Sequence, residues 1–192
     1  MAQLPTAFIQ PHNGHWPEIH PTAFVHPRAT IIGRVKLGAG VNIWPSATLR
    51  ADEGEIVIGE GTNIQDGTSV HMTGGQSDTI IGARCTIGHN VILHGCQVED
   101  ECVIGMGAIL LDNCRIGTGS FIGAGTLITG HKVIPPNSLV YGNPFKIIRQ
   151  TTEVEQSWIK YSWAHYQENA ETHRAALLEM AQKMIDASNE EG

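Results

Sequence analysis

One aliphatic residue recurs every six positions along most of this chain. The series runs Ile19, Val25, Ile31, Leu37, Ile43 and Leu49, then Ile58, Ile64 and Val70, then Ile81, Ile87 and Leu93. After a single five-residue step to Val98 it continues as Ile104, Leu110, Ile116, Ile122, Ile128, Ile134 and Val140. An amphipathic helix repeats at 3.6 residues and a half-buried strand at two, so neither explains this spacing. The fourth residue after the aliphatic is usually small, as at Ala23, Ala29, Ala47, Thr62, Cys85, Cys102, Ala108 and Cys114. Glycine often follows the aliphatic directly, as in Ile58-Gly59 and Ile104-Gly105. These are the marks of a hexapeptide parallel β-helix, an all-β solenoid in which each hexad supplies one short strand and one corner, and three hexads close a triangular coil.

Composition narrows the partners. With a net charge of −7 and no basic run, nucleic acid and acidic membrane surfaces are excluded as partners. No apolar stretch is long enough to span a bilayer, and Met1 to Pro5 do not read as a secretory leader. The four cysteines show no CxxC spacing and fit a reducing cytoplasm. Cys85, Cys102 and Cys114 fall on the small interior position, and Cys96 lies just off that phase.

Three segments are expected. Residues 1–18 wrap the first coil, 19–145 form the β-helix, and 146–192 form a helical segment. Thr151 or Thr152 caps that helix, with Glu155 in its first turn. Its apolar face is read from Val154, Trp158, Tyr161 and His165, then Leu177, Met180/Ala181 and Met184, with a break near Asn169 and fraying from Ser188 onward.

Two excursions interrupt the hexads. Leu49 to Ile58 is nine residues and Val70 to Ile81 is eleven, so three and five residues are inserted. Subtracting them puts His71 and His94 in one column on adjacent coils, each directly after its aliphatic, with Arg50 one coil earlier. Strands in such a stack lie about 4.8 Å apart, so two imidazoles there can share one metal ion. The same arithmetic pairs Asp66 with His89 in a second column on the preceding side of the triangle. His89 would then meet the His71/His94 pair of another chain, which implies a homotrimer with a site in each interface. Arg50 in the metal column needs a carboxylate, and we expect it to pair with Asp52 across that boundary. His12, His15, His20, His26, His131, His165 and His173 share no such register and read as surface or packing residues.

Together these residues closely resemble the γ-class carbonic anhydrases, over about Ile19 to Arg149. The resemblance rests on Arg50-x-Asp52-Glu53, Asn63-Ile64-Gln65-Asp66 with His71 five residues on, and His89-x4-His94-Gly95. It extends through Ile104-Gly105-Met106-Gly107-Ala108 and Ile134-Pro135-Pro136 to Gly142-Asn143-Pro144. It implies a left-handed coil. It also implies that His71 and His94 of one subunit and His89 of its neighbour hold Zn2+, or iron or cobalt. Arg50 and Asp52 correspond to an intersubunit pair, and Gln65 and Glu53 line the metal-bound water. Three imidazoles leave a coordination position for water, whose pKa zinc lowers to about 7, giving a hydroxide that converts CO2 to bicarbonate. Gln65 would orient the reactants, Glu53 would carry the proton to solvent, and Tyr161 would approach from the helix. The segment Met72 to Thr79 is short and acidic only at Asp78, which resembles the family's short-loop members.

Two other readings fit the same solenoid, because fold does not fix function. An acyl-CoA-dependent hexapeptide acyltransferase, or a thioester-acting enzyme, would need one of these histidines as a general base. A metal-binding trimer without significant turnover would need the ligands alone.

Overall fold

The computed structural model describes residues 6–190 as a parallel, left-handed β-helix of about seven coils followed by one long helix. The hexad aliphatics stack in register along the three faces. Ile64, Ile87, Ile104 and Ile122 line one, Val70, Leu93, Leu110 and Ile128 the second, and Ile58, Ile81, Val98, Ile116 and Ile134 the third. All of these point inward and are buried in one continuous core. Two long strands, Thr30–Leu37 and Thr48–Ile58, continue round a corner and join the second and third faces into one sheet.

Both insertions are accommodated without disturbing the stack. The first is a bulge within Thr48–Ile58, where pairing with Thr30–Leu37 shifts between Gly33 and Val35. The second leaves the coil after His71 and returns at Thr79, in register with Ile56. The five-residue step is a shortened corner at Gly95-Cys96. Counted back from Val98, Cys96 occupies the small interior position, so it is an interior filler like the other three cysteines. Cys96 is hydrogen-bonded to Cys114 and fully buried, which together push its thiol well up; the Cys85 contact and burial do the same to Cys102. Neither is a nucleophile at neutral pH.

The terminal segments differ in part from expectation. Phe8–Gln10 does not merely wrap the first coil but pairs with Thr30–Ile32 as a further parallel rung. Met1 to Pro5 lie outside the described residues. Lys146–Gln150 is not helical: it folds back antiparallel on Ser138–Tyr141 and closes the last coil. Helix α1 spans Glu153–Glu190. Thr152 caps it, its amide and hydroxyl both donating to Glu155, which also takes a two-pronged bond from Arg149.

α1 runs back along the first face, opposite to the order of the coils. Gln156 donates to Gly119 O, Ser162 meets Thr86, Gln167 donates to Gly40 O and Gly61 O, and Arg174 reaches Thr22 O and Ala23 O. From Gln156 to Arg174 the helix rises about 27 Å. The five strand steps it crosses amount to about 24 Å, so its pitch matches the stack. The buried stripe is Ile159, Ser162 and Ala170, with Tyr166 and His173 packed edge-on against Trp44. The first half of the stripe read from the sequence is the outer one, since Val154, Trp158 and Tyr161 are exposed, whereas Leu177 in its second half packs against the Phe24/Trp44 cluster as expected. Aromatic spacing marked a helical stripe but not which stripe the solenoid's polar ladder (Asn42, Asn63, Thr86) would accept. Asn169 does not break the helix. Its amide bonds the His165 ring, and the neighbouring Ala170 is anchored in the Phe24/Trp44 cluster. The helix also continues regularly through Ser188 to Glu190; Glu191 and Gly192 lie outside the described residues.

These two classes of apolar residue should respond differently to truncation. Ile104→Ala, within the stack, is expected to cost about 2–5 kcal/mol in denaturant unfolding. Val154→Ala, on the outer stripe, should cost less than about 0.5 kcal/mol. Comparable losses would contradict the assignment of faces.

Candidate metal centre

The site is built where the inserted residues meet the regular stack. His71 ends the strand Ser69–His71 and His94 ends Ile92–His94, and the strand register sets them directly opposite one another. Their rings stand 5.2 Å apart, with His71 Nδ1 3.3 Å from His94 Nε2. The outer nitrogens are both held by carboxylates. His71 Nε2 is 2.9 Å from Asp52 Oδ1, and His94 Nδ1 is 3.0 Å from Asp112 Oδ2. Burial alone would push both carboxyls up. The hydrogen bonds from Arg50 and His71 to Asp52, and from Ser77 and His94 to Asp112, outweigh it and hold both below the usual carboxylate range.

Those carboxylates decide the chemistry of the pair. An ionised carboxylate only accepts, so the nitrogens facing Asp52 and Asp112 carry the protons. In neutral rings the two remaining nitrogens are then bare, with their lone pairs directed at each other. Such an arrangement calls for a positive charge between them. Zinc–imidazole bonds are about 2.0–2.1 Å, and two such ligands in a tetrahedral site lie about 3.3–3.4 Å apart. The observed 3.3 Å fits that edge. A carboxylate behind each histidine is the usual outer support of a metal ligand.

The other candidate residues divide between this cluster and a second place. Within the chain Arg50 binds Asp52, and Asp52 also reaches His71. Glu53 accepts from Gly74 N at 3.1 Å, its exposed carboxylate resting on the inserted loop. His89 lies on the corner that follows the first face, with Nδ1 3.1 Å from Asp66 Oδ2. Gln65, 5 % exposed, donates to Asn63 Oδ1, and Asn63 in turn donates to Cys85 O and Thr86. This polar ladder lies on the face that carries α1. Tyr161 stacks on His165 and lines an open groove with Trp158, Phe121 and Tyr141, and no contact ties it to the histidine pair. Among the described residues, no three His, Cys, Asp or Glu side chains converge on one point. The structure therefore brings together His71, His94, Asp52 and Arg50, and separately Gln65, Asn63, Asp66 and His89.

Asp112 and Ser77 escaped the sequence reading. Asp112 sits two residues after Leu110, opposite Gly95 in the next coil. The available signal was the five-residue step at that glycine, which marks a distorted corner but does not point to an acid.

The comparisons with known proteins bear on the fold and the family. Two family models match, "Bacterial transferase hexapeptide (six repeats)" over residues 95–130 and "Hexapeptide repeat of succinyl-transferase" over 78–111. The chain is 41 % identical over 164 residues to gamma carbonic anhydrase 1, mitochondrial, of Arabidopsis thaliana, covering 83 % of this chain and 60 % of that protein. It is 38 % identical over 163 residues to the carnitine operon protein CaiE of Salmonella agona, covering 85 % of this chain and 82 % of that one. The chain belongs to the γ-class carbonic anhydrase family of hexapeptide-repeat proteins. A crystal structure of a hexapeptide transferase family protein from Anaplasma phagocytophilum superposes with a TM-score of 0.83 at 38 % identity, over 86 % of this chain and 97 % of that one. The chain spans only about 60 % of the length of the plant relatives it matches. Among the described residues, no helix is long and apolar enough to cross a membrane.

Gly95 should be indispensable to this corner. It sits at φ +62, and a Cβ there would stand 2.0 Å from Ser77 Oγ and 2.2 Å from Asp112 Oδ1. Gly75, at φ +69 with nothing within 4 Å, carries the backbone penalty alone. Gly75→Ala is expected to lower Tm by about 2–8 °C, from roughly 1–2 kcal/mol of left-handed strain. Gly95→Ala should lower it by clearly more, and equal shifts in thermal melts would refute the crowding.

Proposed function

We propose that this chain is a carbonic-anhydrase-like metalloprotein that converts CO2 to bicarbonate at sites shared between the subunits of a homotrimer. The observation that carries the reading is that His71 Nδ1 and His94 Nε2 face each other with a carboxylate behind each ring, and that His89 lies on a different side of the same solenoid. His71 and His94 of one subunit and His89 of its neighbour would hold Zn2+, with iron or cobalt as alternative occupants. When bound, the ion supplies a hydroxide nucleophile near neutral pH.

The chain's own residues do the rest. Asp52 keeps the His71 proton on Nε2 and neutralises Arg50 beside the cation. Gln65, its amide nitrogen committed to Asn63, keeps its carbonyl oxygen to orient the reactants. Tyr161 lies on the same helix-bearing face. Glu53, exposed and held by Gly74 N, is placed to pass the released proton to solvent. Four free cysteines fit a reducing compartment, and we assign the protein to the cytoplasm.

A second reading, acyl transfer from acyl-CoA, is favoured by the transferase names of the matching family models and of the A. phagocytophilum structure. A lone general base, however, would not need two carboxylate-backed imidazoles facing each other. Purified without chelators, the protein should carry about one zinc or iron per chain and run as a trimer, with CO2 hydration in stopped flow. His89→Ala should lose the metal and the activity while remaining folded. A folded trimer that takes up no added zinc would sink the anhydrase reading and favour acyl transfer. Full metal without CO2 hydration would leave a non-catalytic metal-binding trimer.

A further inference from the structure

Asp112 belongs to none of the motifs that mark the site. The register places its backbone beside Gly95, and its side chain turns back toward His94. Oδ2 lies 3.0 Å from His94 Nδ1, while Oδ1 accepts from Ser77 Oγ at 2.6 Å. Ser77 is part of the five-residue insertion, and its hydroxyl also accepts from Thr73 N at 3.3 Å. The space for both groups exists because Gly95 has no side chain. Three separate segments thus converge behind one imidazole: the inserted loop, the shortened corner and the corner of the following coil.

We propose that Asp112 is a positioning residue that keeps the proton of His94 on Nδ1, so that Nε2 stays unprotonated and aimed at the His71 nitrogen. Ser77 fixes the carboxylate and thereby ties the short inserted loop to the ligand. A neutral imidazole without this partner takes either tautomer, and the wrong one points an N–H at the ligand position. Asp52 does the corresponding work at His71, but it is shared with Arg50, whereas among the described residues Asp112 has no basic partner besides His94. The arrangement is geometric and stands without a metal; its consequence for affinity rests on the metal reading above.

The test uses two readouts on the full chain. Long-range 1H–15N correlation spectra of the metal-free protein at mildly alkaline pH report which nitrogen of His94 is protonated. Zinc affinity is measured separately by chelator competition. In the wild type His94 should be protonated at Nδ1. Asp112→Leu should give mixed tautomers and weaken zinc about 10–100-fold, the usual consequence of losing such an outer partner. Asp112→Asn, whose carbonyl oxygen still accepts from Nδ1–H, should keep the tautomer and most of the affinity. Ser77→Ala should shift both readouts in the same direction as Asp112→Leu but less. Asp112→Leu protein with His94 still protonated only at Nδ1 and zinc bound as in the wild type would overturn the proposal. Wild-type protein that binds no zinc overturns the metal reading instead, and the tautomer spectra then decide the role of Asp112 by themselves. If Asp112→Leu fails to fold, the Asn and Ser77 variants carry the same comparison.

Discussion

Every feature of this molecule depends on parallel strands stacked in strict register about 4.8 Å apart. Each coil presents its aliphatic directly above the one before, so the interior is a set of continuous columns with no polar side chain left unsatisfied among the described residues. What is true of the inward positions is equally true of the outward ones. A residue one place after the aliphatic on one coil faces its counterpart on the next, which brings His71 and His94 into contact although 23 positions separate them. The same register leaves His89 with Asp66 on another corner. The solenoid is therefore both the source of the histidine pair and the reason the third histidine does not join it within the chain.

Chemistry gathers where the repeat is interrupted. Around the histidine pair, the carboxylates and the hydroxyl behind the rings come from irregular segments or the coil beside them. The bulge in Thr48–Ile58 brings Asp52 to His71, and the insertion after His71 brings Ser77 to Asp112 behind His94. The shortened corner at Gly95 opens the space they use. Irregularities that look like faults in the period are thus the places where polar residues can approach the stack from the side. The sheet itself supplies rigidity, and the departures from it supply the carboxylates that give the imidazoles their character.

Much of this was legible in the chain itself. The hexad period gave the solenoid and its buried columns, and subtracting the insertions gave the His71/His94 and Asp66/His89 pairs, because register is a matter of counting. Side-chain direction is not. Counting put Asp112 opposite a glycine and could not show it turning back to His94. It put Arg50 in the metal column, where a carboxylate two residues away satisfies it inside its own chain. It found a helical stripe at Val154, Trp158 and Tyr161 but could not tell the outer from the inner. That choice depends on how Ser162 meets Thr86 and Ala170 seats against Phe24 and Trp44, a tertiary match with no local signature.

The central claim is that one metal site needs residues from two chains. Mixing metal-free His71→Ala and His89→Ala protein, then dissociating and reassembling the subunits together, tests it most directly. Each variant alone has no complete site, but a mixed C3 trimer has one interface with an intact pair facing an intact His89. Random mixing should restore zinc to about one quarter of a site per chain. If the mixed protein binds no more zinc than either parent, while forming trimers as readily, the site is not shared between subunits and the account is wrong.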